Sequence, residues 1–145
     1  MNRFTLSALT LALAVSACSK KNEEKAAHAD EPLSISGTIR LDPSLARKVK
    51  GSDSIFLIAR PVEGGPPLAV EKFTGKDYPY AFTLSGTHMM TEHTHAHGPV
   101  ALTVRVDKDG NAMTKEPGDL LGAYAKNPVS LQAEGVEIVV NEIQK

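Results

Sequence analysis

The feature that most limits the fold of this chain is a series of short apolar runs separated by turn residues. Apolar and polar residues alternate over residues 33–41, which predicts a strand with one buried face and with Gly37 as a candidate bulge. Residues 55–59 are continuously apolar, which predicts a central strand buried on both faces. Further strand-length runs, rich in β-branched or aromatic residues, are 68–73, 80–84, 100–106 and 136–143.

One short helical segment is expected among these strands. Asp42 is a suitable N-cap and Pro43 suits the first helical position, so residues 44–48 should form a single turn with Leu45 and Val49 facing inward. No longer window sustains helical periodicity. The chain is therefore predicted to be all-β: a single immunoglobulin-like antiparallel β-sandwich with one short helical turn, without the tryptophan and disulfide of antibody domains.

The N-terminus predicts export and lipidation. Arg3 precedes an apolar stretch over residues 4–15 that is too short to span a bilayer, and Val15-Ser16-Ala17-Cys18 resembles the lipobox of bacterial lipoproteins. We expect a mature protein that begins at Cys18, carries lipid there and works in the periplasm, anchored to a membrane. Ser19 stands where many inner-membrane lipoproteins have aspartate, which favours the outer membrane. The competing interpretation is a core helix that ends in an ordinary free cysteine.

These signals divide the chain into a signal peptide (1–17), a lipid anchor and flexible tether (18–32) and a β-sandwich domain (33–145).

The formal net charge is −1 and no basic patch is present, so nucleic acid is not an expected partner. Lipidation of the one cysteine leaves no thiolate nucleophile. Since neither a phosphate-binding glycine loop nor a nucleophile elbow is visible, we expect the protein not to be an enzyme.

A segment at residues 87–98 departs from the strand pattern, because it holds four of the five histidines and two of the four methionines. Imidazole binds copper and zinc, and thioether binds Cu(I). Histidines at alternate positions would share one face of an extended segment. Copper, as Cu(I) or Cu(II), is the first candidate, zinc is the second, and a solvated loop with weak metal affinity stays open. The candidate ligands are His88, Met89, Met90, His93, His95 and His97.

Residues 107–111, Asp-Lys-Asp-Gly-Asn, have the spacing of the first calcium ligands of an EF-hand loop. However, Gly110 stands at the fourth position instead of the sixth, and Gly118 stands at the twelfth position, where a bidentate glutamate is needed. We therefore predict a tight turn with a left-handed glycine, and another turn at residues 116–119.

Several segments, taken in order, resemble the C-terminal periplasmic domain of CycH-type c-type cytochrome biogenesis proteins. The resemblance extends from about residue 33 to residue 143. It implies an immunoglobulin-like domain that binds protein without catalysis, in a family that handles apocytochrome c for haem attachment. The segments are Ile35-Ser36-Gly37-Thr38-Ile39, Leu41-Asp42-Pro43, residues 55–61, residues 65–70, Phe82-Thr83-Leu84, Val104-Arg105-Val106, Gly110-Asn111-Ala112-Met113 and Pro117-Gly118-Asp119-Leu120.

The chain also departs from that family. It lacks the transmembrane pair and helical repeats credited with holding apocytochrome, and its His-rich loop replaces an acidic, Met-containing stretch. The first hypothesis is a membrane-anchored accessory protein whose partner is apocytochrome c or another respiratory assembly protein. The alternative is a periplasmic lipoprotein that binds or delivers copper or zinc.

Overall fold

The computed structural model describes residues 32–91, 96–111 and 113–145. The described part contains seven strands and two short 3-10 helices, Pro43–Lys48 and Gly86–His88. The strands are β1 (Ser34–Leu41), β2 (Ser54–Pro61), β3 (Ala69–Thr74), β4 (Tyr80–Ser85), β5 (Val100–Asp107), β6 (Leu120–Tyr124) and β7 (Val136–Ile143). The predicted signal peptide, Cys18 and nearly all of the predicted tether lie outside the described residues.

The seven strands form one hydrogen-bonded sheet in the order β3-β2-β5-β6-β7-β1-β4. The two edge strands approach each other. The Phe73 and Tyr80 ring centroids are 5.6 Å apart, and the amide of Met90 donates to the carbonyl of Leu68 at 2.9 Å. The sheet therefore wraps round one apolar core in an all-β, immunoglobulin-like arrangement, which confirms the predicted fold class.

The core collects the inward side chains of every strand. Ile35 and Ile39 of β1 and Leu57 of β2 are fully buried. The predicted helical turn is present as the 3-10 helix at Pro43–Lys48, and Leu45 and Val49 are buried as expected. Its first turn is capped by Asp42, whose Oδ1 accepts the amide hydrogen of Ser44 at 2.8 Å.

Gly37 is not a bulge, contrary to the sequence-based expectation. Its strand keeps a continuous register with β4 on one side and with β7 on the other. A Cβ atom at this position would overlap the carbonyl of Val136 on β7, so close approach of two backbones explains the glycine. The observed irregularity lies instead in β6, between Leu121 and Gly122.

Two features of the sheet were not predicted. β6 was not recognised as a strand, because Leu120–Tyr124 is short and carries Gly122 at its centre. The antiparallel pattern is also interrupted, since β1 pairs with β7 in parallel. The remaining predicted strands are present, and both predicted turns contain a left-handed glycine, Gly110 (φ +80°) and Gly118 (φ +98°).

Candidate functional site

The first half of the His/Met segment is attached to the edge of the sheet. After β4, the 3-10 helix Gly86–His88 turns the chain toward β3, where Met89 forms an isolated bridge with Ala69. Met89 packs against the core, whereas the side chain of Met90 is 55% exposed. His88, Met89 and Met90 are thus held together at the start of the loop, with one thioether in contact with the core and one accessible.

His88 is oriented by a backbone hydrogen bond. Its Nδ1 accepts the amide hydrogen of Ser85 at 3.1 Å, so the neutral ring carries its proton on Nε2. Nε2 lies 3.9 Å from Oε1 of Glu71 on β3, which is beyond hydrogen-bonding distance. A metal ion at Nε2 would require the proton to move to Nδ1, and this would break the Ser85 hydrogen bond.

Glu71 is the carboxylate that sequence reasoning missed in this region. It lies 17 positions before His88 in the sequence, on β3, whereas His88 ends the 3-10 helix that follows β4. Its side chain is 19% exposed, and Oε2 is buried without a hydrogen-bond partner. Burial raises the pKa of Glu71, and the nearby His88 offsets part of that effect. One oxygen of this carboxylate is therefore buried in the folded protein without a hydrogen bond.

The other candidate ligands are not gathered at this point. His97 is exposed and lines a shallow depression with Pro61, Val62 and Glu63, near the end of β2. His93 and His95 lie outside the described residues. Within the ranges 32–91, 96–111 and 113–145, no group of three or more His, Cys, Asp or Glu side chains is placed to hold a metal ion.

A second polar cluster, also missed from the sequence, is buried at the β5–β6 connection. Arg105 Nη2 lies 3.1 Å from Asp107 Oδ2, although the geometry does not suit a hydrogen bond, and Arg105 Nε lies 3.9 Å from Asp119 Oδ2. All three side chains are almost completely buried. Asp119 accepts the amide hydrogens of Lys108 at 3.1 Å and of Glu116 at 3.2 Å.

These buried carboxylates organise turns. Asp107 accepts the Gly110 amide hydrogen at 2.5 Å, while Asp109 accepts that of Asn111 at 2.8 Å. Burial and the neighbouring Asp109 and Asp119 raise the pKa of Asp107, and Arg105 opposes the shift. Because the cluster contains its own cation and bonds its own backbone, it is structural and does not form an open cation site.

The outer side of β2, β5 and β6 bears an apolar face, which we define as Ile58, Thr103, Leu121 and Ala123. Ile58, Thr103 and Ala123 stand directly opposite one another in the strand register. This face lines a groove of about 390 Å³. Side chains of this kind, accessible at the middle of a sheet, are suited to contact with another polypeptide.

The family match identifies the domain. Residues 35–141 match the family model described as "Cytochrome c-type biogenesis protein H Ig-like domain". The chain belongs to this family. The matched range contains Glu71, the described part of the His/Met segment, the buried cluster and the apolar face, whereas Cys18 lies before it.

Two relatives share sequence with this CycH-type domain. An uncharacterized protein of Aquifex aeolicus is 31% identical over 110 residues, which cover 75% of this chain and 71% of that protein. Cytochrome c-type biogenesis protein CycH of Pseudomonas aeruginosa is 40% identical over 84 residues, which cover 54% of this chain but 21% of CycH. The matched half of this chain therefore corresponds to about a fifth of that CycH protein.

A weaker likeness is found to the structure of an alternative pilotin from the type II secretion system of Vibrio cholerae. Its sequence is 15% identical and its TM-score is 0.46, over 77% of this chain and 99% of the pilotin chain.

In the part of this CycH-type domain that the structure describes, no helix is long and apolar enough to cross a membrane.

Proposed function

We propose that this CycH-type domain is a lipid-anchored, non-catalytic accessory protein that binds polypeptide partners during c-type cytochrome biogenesis in the periplasm. The family match over residues 35–141 carries the proposal, since it relates the folded domain to cytochrome c-type biogenesis. The apolar face supplies a surface for a partner. Apocytochrome c or another respiratory assembly protein is the partner class that we propose.

The lipid anchor is part of this proposal. Residues 15–18 place the one cysteine at a lipobox-like site, which would hold the domain at a membrane, with the outer membrane favoured. Replacement Cys18→Ser should abolish incorporation of a clickable fatty acid, whereas the neighbouring Ser19→Ala should retain it. Equal labelling of Cys18→Ser and wild type would contradict the anchor.

The role in cytochrome biogenesis is tested in the source bacterium. Deletion of the gene should reduce covalently bound haem in at least one c-type cytochrome, measured by haem staining of separated proteins. Wild-type protein should restore the signal, and Cys18→Ser should restore less because the domain is no longer held at the membrane. Unchanged haem staining in the deletion strain would contradict the proposed function.

Copper or zinc binding is the second proposal. It is supported by the exposed thioether of Met90 beside His88 and Met89, and it depends on His93 and His95 to complete a site with His97. The triple alanine variant at His93, His95 and His97 should lose tight Cu(I) and Cu(II) binding in chelator competition while retaining its melting temperature. If wild type binds no ion better than the variant, this proposal fails.

A further inference from the structure

We infer that the groove over the apolar face binds a polypeptide segment in which large apolar side chains are flanked by carboxylates. This inference rests on the proposed function, which makes the partner a polypeptide, and adds the chemistry of the segment that is recognised.

The composition of the face is not required by the fold. Side chains alternate along a strand, so Leu120 of β6 points into the core and is completely buried while Leu121 points outward and is half-buried. Ile58, Thr103 and Ala123 form a row across three strands on the same outer side. Only the inward positions need to be apolar for the sheet to pack, so the outward Ile58, Leu121 and Ala123, grouped around Thr103, indicate a contact surface.

The groove suits side chains and is too small for a folded element. Its volume of about 390 Å³ is near the lower end of the range of about 300–1,000 Å³ for ligand pockets. Gly122 forms part of its lining, and its Cα approaches β7 so closely that a Cβ would lie 2.5 Å from the carbonyl oxygen of Val139. The strand is thus drawn toward β7 at the point where the groove opens.

The charges at the rim of the groove determine whether an acidic or a basic segment is attracted. Arg60 of β2 and Lys115 line the groove and are opposed there by one carboxylate, Glu142. The positive charge of Arg105, which lies at the floor, is already opposed by Asp107 and Asp119. The rim is net positive on a chain of net charge −1, so it attracts carboxylates and repels basic segments.

Fluorescence anisotropy with defined peptides tests this inference on the full lipidated chain in phosphatidylcholine nanodiscs. The probe is a labelled Asp-Glu-Leu-Phe-Glu-Asp peptide. One counterpart replaces the acidic residues by lysine, and the other replaces Leu-Phe by Ser-Ser. We expect the probe to bind at least about tenfold more tightly than either counterpart, because charge and apolar contact both contribute.

A matched pair of variants locates the binding. Ala123→Glu places a carboxylate on the apolar face and should weaken probe binding by at least about tenfold, through like-charge repulsion. Ala81→Glu makes the same change at an exposed position of β4, away from the groove, and should alter binding less than about twofold, as expected for a position that the peptide does not touch. Thermal unfolding of both variants checks that they remain folded.

The outcomes separate this inference from the proposed function. Absence of probe binding, equal binding of the three peptides, or full binding by Ala123→Glu would overturn the groove assignment, whatever the haem assay shows. Self-association in sedimentation velocity that Ala123→Glu abolishes would also overturn it, since a second copy would then cover the face. Peptide binding with normal haem staining in the deletion strain would preserve the groove and reject the role in cytochrome biogenesis.

Discussion

Two outer faces of the same sheet differ in composition. The outward residues of β1 and β4 form a polar face of small or hydrophilic side chains, whereas the apolar face lies on the outer side of β2, β5 and β6. Both faces lie over the same core. Since the core needs only the inward residues, folding does not require the outward apolar side chains, which agrees with the contact role that we propose for the apolar face. The polar face comprises Ser34, Ser36, Thr38, Arg40, Ala81 and Thr83.

Arg105 lies beside the apolar face and Arg40 belongs to the polar face, and replacing these two arginines should give the largest difference in stability. Arg105, on β5, is buried against Asp107 and Asp119, so Arg105→Leu should destabilise the fold by about 3–5 kcal/mol by leaving buried carboxylates without a cation. Arg40, on β1, pairs with Glu137 at 3.1 Å in an exposed position, so Arg40→Leu should change stability by less than about 1 kcal/mol.

Urea unfolding of the two leucine variants beside wild type measures this difference. The two substitutions are identical, so the comparison isolates the surroundings of each guanidinium. Equal midpoints for Arg105→Leu and Arg40→Leu would show that the cluster at the β5–β6 connection is not a structural network.

Adjacent leucines on β6 give a second comparison, with a smaller effect. Leu120 is fully buried in the core, so Leu120→Ala should cost about 2–5 kcal/mol. Leu121 faces the groove and is half-buried, so Leu121→Ala should cost less, about 1 kcal/mol, because it removes less buried area. The same unfolding assay, with peptide binding as a second readout, should show Leu121→Ala to be the more harmful of the two for binding. Equal stability losses would mean that Leu121 belongs to the core.

Replacement of Glu71 should have the smallest effect on stability, and the size of that effect should depend on pH. Burial raises the folded-state pKa of Glu71 above its ordinary value of 4.5, so the folded protein holds this proton more tightly than the unfolded chain does. Its contribution to stability is complete below pH 4.5 and is lost as pH rises through the folded-state pKa. Glu71→Gln should therefore be slightly more stable than wild type at pH 7, by up to about 1 kcal/mol.

Thermal unfolding between pH 4 and pH 7 checks this prediction. The difference between Glu71→Gln and wild type should shrink as pH falls, and the same substitution at the exposed Glu134 serves as the matched control. Asp107, whose pKa is also raised, is present in every protein compared. Its contribution to the pH dependence of stability therefore cancels when a variant is compared with wild type. A Glu71→Gln variant that is less stable than wild type at pH 7 would mean that the charged carboxylate is favourably paired with His88.

The sequence predicted the fold class because alternation along each strand is a local property. Pairing is not local, which is why the parallel contact of β1 with β7 was missed. The burial of Arg105 was not predicted, because it depends on Asp119, which is 14 positions away in the sequence and lies 3.9 Å from the guanidinium in the fold. Likewise, the His/Met segment was located from composition, but Glu71 reaches it only through the wrapping of the sheet.

In the function that we propose, this CycH-type domain acts by binding a polypeptide through its apolar face. The most direct measurement is covalent haem in c-type cytochromes of the deletion strain, complemented at equal protein level with wild type, Ala123→Glu or Ala81→Glu. We expect wild type and Ala81→Glu to restore haem staining and Ala123→Glu to leave it reduced. Full restoration by Ala123→Glu would contradict the claim.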